Sequence, residues 1–454
     1  MPKFSVCMPT RERHQTLAHS MQTVLQQTYE DFELIVQDNC SSDETREVVE
    51  QFDDPRIIYN RSDERISMHA NWEQALNLTT GDYVNYIGDD DALMPDCLEK
   101  AAGMMEGKKA QLFTWQAHTY YWPNVPDQAR RNHLTLDVRP PAMWGEYYSP
   151  EKAQIDRSDR HGELAPGLFC LDSKRVLHNW LDHSGVRVYV PTYHSLVSRD
   201  IINKVRALTG GTYFFNALPD FGTLIANLFV ADEVFYYGAA LSMTGHAGGS
   251  GGGTHGNLES WTQHLTRFIS EAGQTPEELL PKVFEPFLWN PAILAGCFEN
   301  VKRDLFPNDT RFEMGWENFL RSAATQVNSE PEAVREDCKA WIQKSLASLG
   351  ADPKSVDFPP VEPWTRQRGT LVDPLGRACF TYLDCDPLGV ETIVDAVDVA
   401  SQFNTITLHG GVIPWPASAA ASVASTRGSN LLQRVAGRAP RRFVKAAKIA
   451  LGRN

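Results

Sequence analysis

Regular alternation between short apolar runs and segments with helical spacing constrains the fold of this chain more than any other feature. Residues 4–8, 32–36, 56–60 and 83–87 are rich in β-branched, aromatic and other apolar side chains, which predicts four strands. The segments between them place apolar residues three and four positions apart, which predicts helices. Strand–helix alternation of this kind indicates an α/β fold with a doubly wound, mostly parallel sheet.

The predicted helices carry their own sequence signals. Leu17, Met21 and Val24 fall on one face of the first helix. Ser41 with Glu44 matches a capping box, which predicts that the second helix starts there. The third helix is predicted within "MHANWEQALNLTTGDY".

Polar side chains follow three of the four predicted strands, where an α/β sheet binds its ligands. They are Thr10 and Arg11, Asp38 and Asn39, and Asp89, Asp90 and Asp91. Three adjacent carboxylates repel one another, and a divalent cation among their oxygens would offset that repulsion. A solvated acidic turn is the alternative interpretation of the same three residues.

Glycine-rich phosphate loops are missing from the sequence. No GxGxxG follows the first strand, and no GxxxxGK[ST] occurs in the chain. If a nucleotide binds, we therefore expect a metal ion on the aspartates to neutralise its phosphates.

Four segments in order resemble one known family. They are "SVCMPTRER", "ELIVQDNCSSDET", "NWEQALNLTTGDYVNYIGDDDALMP" and "ALPDFGTLIANLF". Together they make residues 4 to about 250 similar to an inverting family-2 glycosyltransferase with the nucleotide-diphosphosugar transferase (GT-A) fold. The resemblance implies a nucleotide-sugar donor, most often a UDP-sugar, and Mn²⁺ or Mg²⁺ as cofactor.

The resemblance also assigns nucleotide-binding residues. Pro9, Thr10 and Arg11 match the loop that borders the nucleobase, Asp38 matches the aspartate that pairs with the base, and Asn39 stands where many members have a second aspartate. The full predicted set is Pro9, Thr10, Arg11, Asp38, Asn39, Asn71, Asp89 and Asp90.

The metal motif departs from the common pattern of the family. Counting back from Pro95 places Gly88 at the position of the first aspartate, so that Asp90 falls on the usual ligating position. We expect Asp90 and Asp91 to bind the metal, with His246 from the glycine-rich segment after the last predicted strand of the domain. His255 is a weaker candidate, and that segment could equally be a flexible linker with structural histidines.

The resemblance makes Asp220 the general base that deprotonates the acceptor hydroxyl. The alternative is that Asp220 only caps its helix. Aromatic residues between the metal motif and the base could either stack on acceptor sugars or belong to the core. They include Trp115, Tyr120, Tyr121 and Trp122.

We predict three parts: a GT-A domain at 1–257, a mainly helical domain at 258–412 and a basic tail at 413–454. "TPEELLPKVFEPFL", "RFEMGWENFLRSAATQV" and "PEAVREDCKAWIQKSLASLG" predict helices in the second part. In the tail, a predicted helix after Pro440 places its arginines and lysines on one face and apolar residues on the other. That pattern is typical of binding to an anionic membrane surface, and a disordered tail is the alternative.

Composition bears on partners and location. The formal net charge of −14 argues against nucleic acid as a partner. The sequence opens without a signal-peptide pattern, has no apolar run of about 18 residues and scatters its cysteines singly. We therefore expect a cytoplasmic protein, with the tail directing it to the inner face of the membrane.

The predicted function is metal-dependent transfer of a sugar from a nucleotide donor to a glycan or lipid-linked acceptor. Two alternatives remain at this point. One is a catalytically silent member of the family that binds a glycan or a partner protein. The other is a nucleotidyltransferase, for which we would expect a glycine-rich, lysine-containing loop in place of "MPTRERH".

Overall fold

The computed structural model describes residues 3–126, 130–139, 167–183, 188–250, 258–330, 332–358, 369–372 and 378–408. Within these residues twelve strands form one sheet. The strands are β1 Phe4–Thr10, β2 Phe32–Asp38, β3 Ile57–Arg61, β4 Tyr83–Tyr86, β5 Ala92–Leu93, β6 Leu112–Tyr121, β7 His133–Asp137, β8 Leu168–Asp172, β9 Ser195–Ser198, β10 Glu233–His246, β11 Gly369–Val372 and β12 Ala378–Asp384.

Helices alternate with the first four strands and dominate the second half of the described chain. They are α1 His14–Leu25, α2 Thr45–Glu50, α3 Met68–Leu78, α4 Cys97–Met105, α5 Ser173–Leu181, α6 Arg199–Thr209, α7 Pro219–Val230, α8 Leu258–Glu271, α9 Pro276–Leu279, α10 Asn290–Leu305, α11 Trp316–Ala324, α12 Glu332–Ser348 and α13 Ile393–Leu408.

The predicted α/β fold is confirmed. Strands β3, β2, β1 and β4 lie side by side and run parallel, with Thr10 in register with Asp38 at the carboxyl end. Strand β9 continues the sheet antiparallel to β4 and β6, and β10 runs parallel to β6. The strand order reverses between β1 and β4, which is where doubly wound sheets form a ligand crevice.

Helices cover both faces of the sheet because successive strand residues point to opposite sides. Phe4, Val6 and Met8 of β1 pack with α1 and α4 in one core. Cys7 of the same strand packs on the opposite side with Trp72 of α3 and with α5, α6 and α7.

One predicted helix start is wrong. Helix α2 begins at Thr45, its N-cap residue is Glu44, and no side chain caps it. Instead of capping the helix, the Ser41 hydroxyl accepts a hydrogen bond from the Glu12 amide at 2.9 Å.

The second half contains a separate helical core, formed largely by α8 to α12. "TPEELLPKVFEPFL" is helical only over Pro276–Leu279, because the next proline, Pro281, follows after a single residue. Strands β11 and β12 were not predicted, and β12 pairs with β7 and so extends the sheet of the first half. The boundary at residue 257 stays a prediction.

Two predicted features, the tail at 413–454 and His255, lie outside the described residues. Among the helices that are described, none is long and apolar enough to cross a membrane.

Candidate active site

A side-chain hydrogen bond joins the carboxyl end of β1 to the loop that follows β4. Thr10 Oγ1 donates to Asp89 Oδ2 at 2.7 Å, although the two residues are 79 positions apart in the sequence. Parallel pairing of β1 with β4 makes this contact possible. The structure therefore brings the first and third predicted polar strand ends together.

The three aspartates are all buried but differ in their partners. Asp91 accepts backbone N–H groups at both oxygens, from Gly88 at 2.9 Å and from Gly245 at 2.7 Å. Asp90 Oδ2 accepts the Ala247 amide at 3.0 Å. Asp91 thus fixes the acidic loop against the end of β10, whereas Asp89 and Asp90 also face a cation.

That cation is Arg13, which the sequence analysis did not single out. Its Nη1 lies 3.1 Å from Asp89 Oδ1 and 3.4 Å from Asp90 Oδ2, and its Nη2 donates to the Gly249 carbonyl at 2.7 Å. Arg13 follows β1 by three residues, so the available signal was a second arginine in the same strand-end loop as Arg11.

Burial and mutual repulsion disfavour the charged form of this cluster. Burial raises the pKa of Asp89 to about 6, opposed by Arg13 and assisted by the charge of Asp90. Burial and Asp90 also raise the pKa of Asp91 well above its ordinary value. One guanidinium does not balance three ionised carboxylates, and a proton or a further cation would offset the remaining charge.

Oxygen donors of this kind suit a hard divalent ion such as Mn²⁺ or Mg²⁺. In the part of the chain that the structure describes, however, no three His, Cys, Asp or Glu side chains are grouped around a common point for a metal. The donor chemistry fits the predicted ion, while the Arg13 guanidinium lies against two of the carboxylates.

The end of β10 passes close over the acidic loop. A Cβ on Gly245 would lie 1.7 Å from the Asp90 carbonyl oxygen, so only glycine allows this approach. The next residue, His246, stacks on Tyr121 with ring centroids 4.6 Å apart. The predicted ligand His246 therefore lies on the strand that covers the aspartates.

His194 is a second residue that the sequence analysis missed. Its Nδ1 lies 2.8 Å from Ser242 Oγ, and its Nε2 lies 3.1 Å from Thr244 Oγ1 and 3.9 Å from Asp91 Oδ2. Burial lowers the pKa of His194 to about 4, so the ring is neutral at pH 7. Its backbone φ of 51° is uncommon for a residue other than glycine and often accompanies a functional site.

Asp38 lies at the carboxyl end of β2, as predicted. Its Oδ1 accepts the Ser41 amide at 2.9 Å, and its Oδ2 accepts the Tyr59 hydroxyl at 2.8 Å and faces Arg61 Nε at 3.5 Å. Burial and the bond to Asp38 raise the pKa of Tyr59 to about 12. The carboxylate is therefore held in a fixed orientation at the strand end.

Asn39 and Asn71 are both buried and hydrogen-bonded within the protein. Asn39 exchanges two hydrogen bonds with the backbone of Ile66, donating at 2.8 Å and accepting at 3.0 Å. Asn71 on α3 is buried and accepts from Gln37 Nε2 at 3.2 Å. Both support the loops around Asp38, and a direct role in nucleotide binding stays a prediction.

In the predicted nucleobase loop, Pro9 is part of β1 and pairs in register with Gln37. Arg11 leaves the strand and points to the helical region, where its Nη1 donates to both carboxylate oxygens of Glu271 at 3.0 Å. Glu12 adopts φ 56° and accepts from Arg65, which holds the loop open at the sheet edge.

Asp220 lies in the first turn of α7 and is not the N-cap residue, which is Leu218. Burial raises the pKa of Asp220 to about 6, opposed by backbone N–H groups of the helix start. The Tyr189 hydroxyl donates to its Oδ2 at 3.3 Å. Asp220 is therefore not the N-cap residue, although its carboxylate faces N–H groups of the first turn. A carboxyl group with a pKa near neutrality is suited to general-base work, and that role stays a prediction.

Tyr193 is influenced by the charges of both Asp220 and the acidic loop. Burial raises the pKa of Tyr193 well above its ordinary value, and the charges of all three loop aspartates and of Asp220 raise it further. Tyr193 is therefore within electrostatic range of both predicted sites. A shared site for residues 89–91 and 220 stays a prediction.

Most of the aromatic residues proposed as sugar-stacking candidates belong to the core. Trp115, Tyr120 and Trp122 are buried, and the indole N–H of Trp122 donates to the Asp90 carbonyl at 3.0 Å. Tyr189, beside Asp220, has an exposed fraction of 36% and is the more accessible aromatic side chain near the predicted base.

Residues 5–170 match the model of a known family described as "Glycosyl transferase family 2". This match includes the Thr10, Asp38 and Asp89–Asp91 strand ends. These residues are thus similar to glycosyl transferase family 2, and the family-2 resemblance noted in the sequence is confirmed over this segment.

Two relatives illustrate the similarity. The chain is 36% identical over 101 residues to a GalNAc(5)-diNAcBac-PP-undecaprenol beta-1,3-glucosyltransferase of Campylobacter jejuni. The matched segment makes up 22% of this chain and 33% of that protein. The chain is 33% identical over 101 residues to UDP-Glc:alpha-D-GlcNAc-diphosphoundecaprenol beta-1,3-glucosyltransferase WfgD of Escherichia coli, covering 22% and 40%. The chain thus spans well under half the length of both relatives.

Among solved structures, one that is similar to this chain is S. aureus TarS 1–349 in complex with UDP-GlcNAc. The match covers 90% of this chain and 93% of that one, at 12% identity and a TM-score of 0.38. Similarity at this level is too low to transfer a substrate.

Proposed function

We propose that this protein is an inverting, metal-dependent glycosyltransferase that uses a UDP-sugar donor. The single observation that supports this best lies at the β1–β4 switch point, where Thr10 binds Asp89 of the acidic loop. The family match to residues 5–170 places the same strand ends inside a glycosyltransferase domain.

The donor would lie along the carboxyl edge of the sheet. Asp38, held by Ser41 and Tyr59, presents a fixed carboxylate to the nucleobase, and Pro9, Thr10 and Arg11 border it. A divalent cation bound by Asp90 and Asp91, with His246, would neutralise the leaving diphosphate.

Asp220 would act on the acceptor. Its carboxylate takes the proton of the acceptor hydroxyl as that oxygen attacks the anomeric carbon, and the bond to the diphosphate breaks on the opposite face. One new glycosidic bond forms with inverted configuration, and UDP leaves with the bonding electrons. A pKa of about 6 keeps Asp220 mostly ionised, and so able to accept a proton, at pH 7.

The names of the relatives support a proposal for the acceptor class. The names of both relatives above contain an undecaprenol diphosphate carrier. We propose a lipid-linked glycan as acceptor, at the cytoplasmic face of a membrane. The basic tail at 413–454, with eight lysine and arginine residues and no acidic residue, would bind the anionic lipid surface.

The experiment that tests this function is a turnover screen over nucleotide sugars, with Mn²⁺, with Mg²⁺ and with EDTA. We expect slow release of UDP from one UDP-sugar in the presence of metal and none in EDTA. Release from every nucleotide sugar alike, or from none, would contradict the proposal.

A further inference from the structure

Helix α8 lies outside the segment 5–170 that matches the family, yet it contacts the predicted donor site. Glu271 in its last turn binds Arg11 of the nucleobase loop through both carboxylate oxygens at 3.0 Å. The exposed fractions of the two side chains are 15% for Arg11 and 26% for Glu271. This half-buried ion pair, 260 residues apart in the sequence, fixes α8 over the end of β1.

One turn earlier, α8 presents Arg267 to the same region. The Arg267 guanidinium lies 5.4 Å from the centre of the Phe268 ring, and the Arg11 guanidinium lies 6.0 Å from the same ring. Arg267 Nε is 4.0 Å from Glu271 Oε1. Arg11 and Arg267 therefore share both an aromatic and an acidic neighbour.

Two further arginines, Arg13 and Arg65, lie within electrostatic range of Arg267. Partial burial lowers the pKa of Arg267, and the charges of Arg11, Arg65 and Arg13 lower it further. Glu271 is shared between Arg11 and Arg267, whereas Arg65 pairs with Glu12 and Arg13 lies against Asp89 and Asp90. Guanidinium groups gathered in this way are suited to phosphate oxygens, which they bind in pairs.

We propose that α8 is part of the donor site, that Arg267 binds phosphate oxygens of the nucleoside diphosphate, and that Glu271 positions Arg11 beside the nucleobase. This deepens the proposed function and depends on it. The helical region thereby supplies a binding residue to the glycosyltransferase domain, and α8 must be docked for the donor to bind tightly.

The test is calorimetric titration of UDP and of uridine, in Mn²⁺, into the full-length parent and three variants. Arg267→Ala is expected to weaken UDP about ten- to hundredfold, the loss of a charged hydrogen bond, and to change uridine less than about twofold. Glu271→Gln is expected to weaken both ligands, because it releases Arg11. Arg303→Ala is the matched control, since Arg303 is 51% exposed and pairs with the neighbouring Asp304.

Three results would overturn the inference. In the first, Arg267→Ala binds UDP with the affinity of the parent. In the second, Arg267→Ala loses affinity for UDP and for uridine equally. In the third, Arg303→Ala lowers the affinity for UDP as much as Arg267→Ala does. Unchanged UDP affinity with lost sugar transfer would move Arg267 to the acceptor and also overturn it. A parent that binds no UDP would refute the proposed function itself, whereas a parent that binds UDP beside an unaffected Arg267→Ala refutes only the role of α8.

Discussion

Replacing Asp220 by Asn separates its chemical role from its structural one. Asn has nearly the same shape and can still accept the Tyr189 hydrogen bond, but it cannot take up the acceptor proton. Turnover should fall about 10²- to 10⁴-fold, the usual contribution of a positioned base. The affinity for UDP should not change, because the proposed base acts on the acceptor hydroxyl and not on the diphosphate.

The same substitution should stabilise the protein at neutral pH. Burial raises the pKa of Asp220 from 3.8 to about 6, so the folded state binds its proton more tightly than the unfolded state. The parent therefore loses stability as the pH rises from about 4 to about 6, and Asn does not. The pKa difference corresponds to about 2–3 kcal/mol above pH 6, allowing for partial solvent exposure.

Urea unfolding of parent and Asp220→Asn at pH 4 and pH 8 measures this difference, beside turnover and UDP titration at pH 8. Asp200→Asn is the matched control, because Asp200 also lies in the first turn of a helix but is exposed and pairs with Lys204. Turnover near the parent level would show that the base lies elsewhere. Loss of UDP binding would assign Asp220 to the nucleotide site. A free energy of unfolding that differs between parent and Asp220→Asn by the same amount at pH 4 and pH 8 would refute the burial argument.

Two further predictions concern the covering strand and the tail. Gly245→Ala should weaken UDP binding at least tenfold and destabilise the fold by about 1–3 kcal/mol, because the new Cβ would meet the Asp90 carbonyl. The control is Gly103→Ala in α4, whose new Cβ meets no atom within 4 Å and should stabilise the fold by up to about 1 kcal/mol. UDP titration and urea unfolding measure both changes, and similar effects of the two substitutions would contradict this prediction. Deleting residues 427–454 should release the protein from phosphatidylserine vesicles in a flotation assay, as should added salt, whereas salt-insensitive binding would exclude an electrostatic tail.

Sequence patterns located the elements whose signals are local. The strands β1 to β4 and the helices α1 and α3 follow from apolar periodicity, and Thr10, Asp38 and Asp89 follow from the position of polar residues at strand ends. Parallel pairing then places these ends on one edge of the sheet whatever the details of the loops. This part of the site was therefore predictable.

Features that depend on distant partners were not predictable in the same way. Ser41 was expected to cap α2, but its hydroxyl binds the Glu12 amide of another loop. Arg13 contacts aspartates that are 76 or more positions away in the sequence, and His194 contacts hydroxyl groups on β10. Strand β12 pairs with β7, although the two strands are more than 200 residues apart in the sequence, and no local sequence pattern indicates such a partner.

The measurement that tests the central claim most directly is titration of UDP into the parent and Asp90→Ala, each in Mn²⁺ and in EDTA. Asp90 contacts Arg13 and the Ala247 amide at the edge of the crevice, so its loss should leave the fold intact. Asp96→Ala is the control, since Asp96 lies just beyond the acidic loop and pairs with Lys100 at the surface. We predict metal-dependent UDP binding in the parent and in Asp96→Ala, and its loss in Asp90→Ala. Tight UDP binding in EDTA that Asp90→Ala leaves unchanged would contradict the assignment of the acidic loop to a metal-dependent donor site.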